Sequence, residues 1–375
     1  MVLILCSNCT FATMKWLIKV TIFLFVTNLT AQISPVNQWS LPSSIPESSG
    51  LLFHNDTFYS QNDGGNPAEI FAMNKQGQII RKYFLKGVLN NDWEAICFNQ
   101  NGDLLIGDIG NNYNDRQDLK VLIVKDFFNQ QNDTLFADTL SFYYSSQIVY
   151  PAIDAQKHFD VESMVVINDS IFLFSKNRSK PYNGFTYKYY LNRGIGLQKA
   201  VALDSFYVGS GPKELEWITD THFSFNTLWL LSHSFVLRFD TFDMKGLRNP
   251  KKIFFDSYTQ KEGCTYVPPY LYVTDEQHPT VGGGNLYQYL IDEPTNNKQI
   301  EVEKVDWYVI NDYKLTILNK AGSLQIFDTS GKILLEQKIN ENQRTVDLSN
   351  FKGMYLQLQL VDKKLLFTHR IYLNP

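Results

Sequence analysis

Five glutamates stand at the head of strand-like runs in this chain: Glu47, Glu94, Glu162, Glu216 and Glu262, separated by 47, 68, 54 and 46 residues. Each precedes a stretch rich in aromatic and β-branched residues, as in Gly263-Cys-Thr-Tyr-Val267 followed by Leu271-Tyr-Val-Thr-Asp275. Three copies add an acid two residues earlier, at Asp92, Asp160 and Glu214. Positions i and i+2 of a strand share a face, so these acids reinforce the same level of the fold. Carboxylates gathered in this way repel one another and rise in pKa unless something offsets them. One remedy is a hard cation. Ca²⁺ takes about 6–8 oxygen ligands, and the five glutamates are the expected ligand set. The other remedy is ion pairing with Arg116, Lys176 and Arg178, and the two can coexist. His158, two residues before Asp160, falls on the same expected face. Asn62, Asp63, Asp108 and Asp275 close the second runs of their repeats. Together with Arg116, Lys176 and Arg178 they are the expected ligand-binding residues. The sequence assigns no catalytic group.

The elements that must position these side chains are short strands in a repeat. Each glutamate begins a first strand, and a turn and a second strand follow. Third strands read Glu69-Ile-Phe-Ala-Met, Lys120-Val-Leu-Ile-Val, Phe185-Thr-Tyr-Lys-Tyr, Ser234-Phe-Val-Leu-Arg and Asn285-Leu-Tyr-Gln-Tyr. Fourth strands follow in the first four copies. Four strands in about 40–50 residues is the signature of a β-propeller blade. An all-β propeller over residues 33–292 is therefore expected, with five blades favoured over six. The long second interval reads as a loop insertion. The fifth copy lacks a fourth strand, and Val36-Asn-Gln-Trp-Ser-Leu41 is expected to supply it, closing the ring and removing an exposed edge.

Composition narrows the partners. A formal charge of −4 leaves no basic footprint, which argues against nucleic acid. The 21 Tyr and 27 Phe favour strands over helices. Residues 1–31 carry lysines, an apolar run and small residues before Gln32, the grammar of a signal peptide, with Met14 a possible true start. Cys6 and Cys9 would then be absent from the mature chain, leaving Cys97 and Cys264 as buried thiols. Gly282-Gly-Gly-Asn285 and Gly209-Ser-Gly-Pro-Lys213 lack phosphate-loop or dinucleotide spacing and read as turns. Ser48-Ser49 beside Glu47 reads as two small residues starting a blade.

After a linker at 293–312, residues 313–375 change character: alternating strands and tight turns suggest a small Ig-like β-sandwich. Ile326-Phe-Asp-Thr-Ser-Gly-Lys332, Val346-Asp-Leu-Ser349 and Lys352-Gly-Met-Tyr355 resemble the C-terminal sorting domain of type IX secretion cargo in Bacteroidetes-type bacteria. That resemblance implies export through the outer membrane and the secretion machinery as a partner. Glu262-Gly-Cys with Leu271-Tyr-Val-Thr-Asp-Glu276, echoed by Val161-Glu-Ser-Met, resembles a blade motif of β-propeller phytases. The resemblance implies channel glutamates that hold calcium near a phosphate site. Asp92-Trp-Glu with Gly107-Asp-Ile-Gly-Asn-Asn112 and Arg116 is similar to secreted propellers of the phytase-like and SdiA-regulated groups. The leading expectation is an exported, calcium-stabilised propeller binding a ligand at the glutamate end of its channel. The alternatives are a metal-dependent phosphoesterase or esterase, and a structural or adhesive surface protein.

Overall fold

The computed structural model describes residues 32–291 and 308–372, apart from 168–169, 195, 241–245, 312, 319, 329–331, 341, 353 and 363–364. The expected signal peptide, Cys6 and Cys9, most of the linker and the Asn168-Asp169 turn lie outside these residues. Five four-stranded antiparallel units follow one another, each starting from a buried inner strand. The inner strands are Ser48–His54, Trp93–Phe98, Val161–Ile167, Ile218–Ser224 and Lys261–Val267. Each packs against the next, and the last packs against the first, so the ring is closed. This is a five-bladed propeller.

Sequence pattern explains the layering. Val161–Ile167 is buried at every position because a channel lies on one side and a neighbouring blade on the other. The outer strand Asp138–Tyr144 alternates instead, burying Leu140, Phe142 and Tyr144 and exposing the residues between them. Two-residue hairpins at Asn55-Asp56 and Phe225-Asn226 hold positive φ at both positions, the type I′ geometry that suits twisted strands.

The N-terminus closes the ring as expected. Pro35–Ser40 pairs antiparallel with Asn285–Leu290 as the fourth strand of blade five. Just before it, Gln32–Ile33 pairs in parallel with the outer strand Lys251–Phe255 of blade four. One short segment therefore ties two blades. Blades two and three are joined differently, through their outer strands, Asp138–Tyr144 and Gln198–Tyr207. Cys97 and Cys264 are free and buried.

The C-terminal segment forms two sheets over one apolar core that includes Leu315, Ile317, Leu324, Ile326, Val346, Leu356 and Leu358. Its first strand, Tyr308–Asn311, begins inside the expected linker and pairs with Lys314–Ile317.

The seam between blades five and one is tight. A Cβ on Gly263 would sit 2.4 Å from Thr274 Oγ1 and 2.9 Å from the carbonyl carbon of Gly50. Backbone cannot yield cheaply there, so Gly263→Ala is expected to lower stability by about 1–3 kcal/mol. Urea denaturation checks this, and an unchanged midpoint would contradict the close approach.

Candidate functional site

The second residue of every inner strand meets its counterparts at one mouth of the channel. Pairing skips a residue at or beside this position in all five blades, a bulge that turns the side chain inward. The ring so defined is Ser49, Glu94, Glu162, Thr219 and Glu262. Three of the expected glutamates are present and two are not. Glu47 lies two residues ahead of Ser49, exposed at the rim, where Asn66 Nδ2 donates to its Oε2 at 2.6 Å. Glu216 sits in a single helical turn, Lys213–Glu216, and pairs with Lys252 at 3.3 Å. Ser49 and Thr219 donate to backbone of the next blade instead, to Glu94 O at 3.0 Å and Lys261 O at 2.6 Å. The signal was available in the sequence, because six residues back from the hairpin turns 55–56 and 225–226 are Ser49 and Thr219.

A second ring follows from the residue after each second strand: Asp63, Ile109, Lys176, His233 and Glu276. The two rings divide the mouth. On the side of blades three to five, cations meet the acids. Lys176 Nζ contacts the Glu162 carboxylate and lies 3.5 Å from Glu262 Oε1. Arg178 donates Nε to Asp160 at 2.5 Å and Nη2 to Glu162 at 3.3 Å, with its guanidinium 4.7 Å from the Trp217 ring centre. His233 places Nδ1 at 2.8 Å from the Glu214 carbonyl and Nε2 at 2.9 Å from Glu262 Oε1. Both of its ring nitrogens face acceptors. Burial opposes ionisation of Glu262, yet Lys176 and His233 together hold it below the ordinary glutamate value.

The side of blades one and two is less fully offset: Arg116 Nη1 reaches Asp92 only at 4.0 Å, and Asp63 accepts the backbone N–H of Gly64. Asp63, Asp92 and Glu94 bring one carboxylate oxygen each to within 4.8 Å of one another. Glu94 is only 5% exposed, and among the described residues no hydrogen bond or ion pair reaches its carboxylate. Burial raises it well above the usual glutamate range, with Asp63 and Glu162 adding to the effect. Burial likewise pushes Asp63 up to about 7, with Asp92 adding. Asp92 rises to about 6, chiefly through burial, with Asp160 adding and Arg116 opposing. Glu276, next in the second ring, is pushed up to about 9 by burial, Glu262 and Asp63. Two glycines make room for the group. A Cβ on Gly110 would fall 2.4 Å from Asp92 Oδ2 and 2.6 Å from Glu94 Oε1, and one on Gly64 would fall 2.6 Å from Asp92 Oδ1.

The remaining expected ligand residues work within blades. Asn62 Oδ1 accepts Glu47 N–H at 3.2 Å, and Asp108 Oδ1 accepts Asp92 N–H at 3.2 Å. Asp275 takes Asn285 N–H at 2.8 Å and the Tyr287 hydroxyl at 2.7 Å. Arg116 is engaged by Asp108 at 2.7 Å, the Gly110 carbonyl at 2.7 Å and Asp118 at 3.0 Å. His158 stacks on Tyr187 at 4.0 Å and bonds the Tyr189 hydroxyl at 2.6 Å, away from the acids. The sequence reading named Asp92 only as an acid reinforcing the ring, and it did not single out His233 or Glu276.

Fold and site together define a five-bladed propeller with a charged, partly unneutralised channel mouth. Residues 308–374 match the secretion system C-terminal sorting domain, so the chain is a type IX secretion cargo, directed to the cell surface or beyond. No curated protein matches the sequence. Among solved structures, the chain is similar to PorZ, a surface component of the type IX secretion system of Porphyromonas gingivalis. The identity is 13% and the TM-score 0.35, over 90% of this chain and 46% of that one, so the chain spans about half of PorZ. It is also similar to the exo-β-1,3-galactanase of Phanerochaete chrysosporium, at 10% identity and TM-score 0.43, covering 90% and 94%. A third likeness is the aldose sugar dehydrogenase of Streptomyces coelicolor, at 8% identity and TM-score 0.39, covering 68% and 98%. At these values nothing about ligand or reaction follows from them.

The raised carboxyl groups set a pH dependence. Unfolded, they titrate near about 4. Folded, Asp92, Asp63 and Glu276 hold their protons to about 6, 7 and 9. Above about pH 4 the unfolded state releases these protons first, so stability falls as pH rises and levels off past the folded values. In a chelator, the chain is expected to melt lower at pH 8 than at pH 5, with Asp63→Asn flattening part of that slope. A melting temperature flat across this range would contradict the assignment.

Proposed function

We propose that this exported propeller binds a ligand at the glutamate-lined mouth, beside a calcium ion held by Asp63, Asp92 and Glu94. The observation that carries the reading is Glu94, a buried carboxylate with no partner, aimed at two further acids. An unpaired buried charge is costly, and an ion with oxygen preference removes the cost. Asp63 comes from blade one and Asp92 and Glu94 from blade two, so the ion also ties a seam between blades. Lys176, Arg178 and His233 already offset the other acids, which is why Glu162 and Glu262 are left out of the proposed ligand set. Phosphoester hydrolysis is the weaker reading, because Arg116 and Arg178 turn their guanidinium groups onto the protein's own carboxylates.

Calorimetric titration of the full chain with CaCl₂ tests this. One ion is expected to bind, with Asp63→Asn and Glu94→Gln abolishing the heat and Glu216→Gln leaving it intact. At a hundredfold excess over Kd the ion adds about 2.7 kcal/mol, which melting curves register as a rise of several degrees. No heat and no chelator effect would sink the proposal.

A further inference from the structure

We infer that the Lys176 ammonium is a resident cation of this mouth, one that competes with the calcium ion and sets how tightly it binds. This rests on the calcium-site reading and extends it to the control of affinity. The first argument is where the ammonium stands. Lys176 follows the second strand of blade three, and its Nζ contacts the Glu162 carboxylate of the same blade. It also lies 3.5 Å from Glu262 Oε1, which belongs to blade five. Blade four stands between those two blades in the ring, so an ammonium that meets both glutamates stands in the channel rather than in a seam. Lys176 is only 8% exposed there. Burial works against the charged form, yet Glu162 and Glu262 together hold Lys176 above the ordinary lysine value. The charge is therefore permanent.

The second argument is what the ammonium faces without touching. Burial raises Asp63, Glu94 and Glu276, and Lys176 pulls each of them back down. These acids come from blades one, two and five. Among the described residues Lys176 pairs with Glu162 and Glu262 and with none of these three. A unit charge fixed within the field of Asp63 and Glu94 opposes a doubly charged ion held between them. Salt screens such partly buried charges poorly.

The third argument is that the lysine is pinned. Its own N–H donates to Asp160 O at 2.9 Å, and Arg178 N–H donates to Lys157 O at 2.7 Å. Between them Asn177 O accepts Trp217 Nε1–H at 2.7 Å, and Asn177 Nδ2 donates to Phe185 O at 2.7 Å. The Trp217 ring centre is 5.4 Å from Lys176 Nζ and 4.7 Å from the Arg178 guanidinium carbon, cation–π contacts that add to the hold. The ammonium is thus kept on the Glu162 and Glu262 half of the mouth. Glu94 stays open to an ion, with a like charge fixed beside that ion.

The test uses the full chain in calorimetric titrations with CaCl₂ and TbCl₃. Lys176→Met keeps an apolar stem and removes the charge. Calcium is expected to bind Lys176→Met about tenfold more tightly than the unmodified chain. The Coulomb penalty scales with the charge of the ion, so terbium is expected to gain about thirtyfold. Removing one partner of a buried pair is destabilising, so the substitution is repeated in a Glu162→Gln background. The same gains are expected there, relative to Glu162→Gln alone. Unchanged or weaker calcium binding in both backgrounds, or equal gains for the two ions, overturns this inference and leaves the ion site standing. Calcium binding that appears only after the substitution keeps Lys176 as the resident cation and removes the native ion site. Absence of an isotherm in every chain removes both.

Discussion

Five inner strands packed around one axis force their second residues together, and in three of the five blades that residue is a glutamate. Everything else at the mouth answers to this crowding of like charge in a poorly hydrated place. Blades three to five answer with Lys176, Arg178 and His233, each fixed by more than one partner. Blades one and two answer only in part, with Arg116 on Asp108 and, at 4.0 Å, on Asp92, and with no cation on Glu94 or Asp63 among the described residues. Blade two supplies Ile109 where blade three has Lys176, and blade one supplies a further acid, Asp63. The imbalance is therefore local and directional, and it is the feature on which the proposed ion site rests.

The same packing explains why the site is rigid. One level below the mouth, Asp220 of blade four accepts the backbone N–H of Cys264 in blade five at 2.6 Å and that of Leu51 in blade one. A single buried carboxylate thus holds three blades in register, and burial raises its pKa well above the ordinary aspartate value. Ser49 and Thr219 add hydroxyl bonds across two further seams. With the floor fixed in this way, the position of Glu94 is set by its inner strand, while Asp63 and Asp92 stand on the loops that flank Asn62 and Trp93.

The architecture was legible because a blade repeats all of its signals at once. Strand pattern and approximate period recurred from copy to copy despite the long second interval and a divergent fourth copy, and the missing fourth strand of blade five pointed to Val36–Leu41. The ring of glutamates was harder to read, because carboxylates at strand ends have two roles that look alike in sequence. Asn62, Asp108 and Asp275 stand at the last position of a second strand and accept the N–H of an entering segment, a backbone need that any blade has. Glu94, one position along a neighbouring strand, meets no such donor. Glu216 was placed in the ring by its spacing to Glu262, yet Pro212 and the helical turn after it delay blade four's strand until Ile218. Only the hairpin count carries the correct register.

Export and the unpaired acids belong to one argument. A buried Glu94 with Asp63 and Asp92 beside it is tolerable without an ion when the cluster keeps protons, as the raised values of Asp63 and Asp92 permit near neutrality. The cost of leaving the site empty during synthesis is thereby small. Outside the cell calcium is abundant, and extracellular modules commonly bind it with dissociation constants of about 10⁻⁴–10⁻³ M. On the proposed reading, the sorting domain delivers the propeller to the compartment where an ion of modest affinity displaces those protons. The mouth then exchanges a shared-proton cluster for a fixed charge.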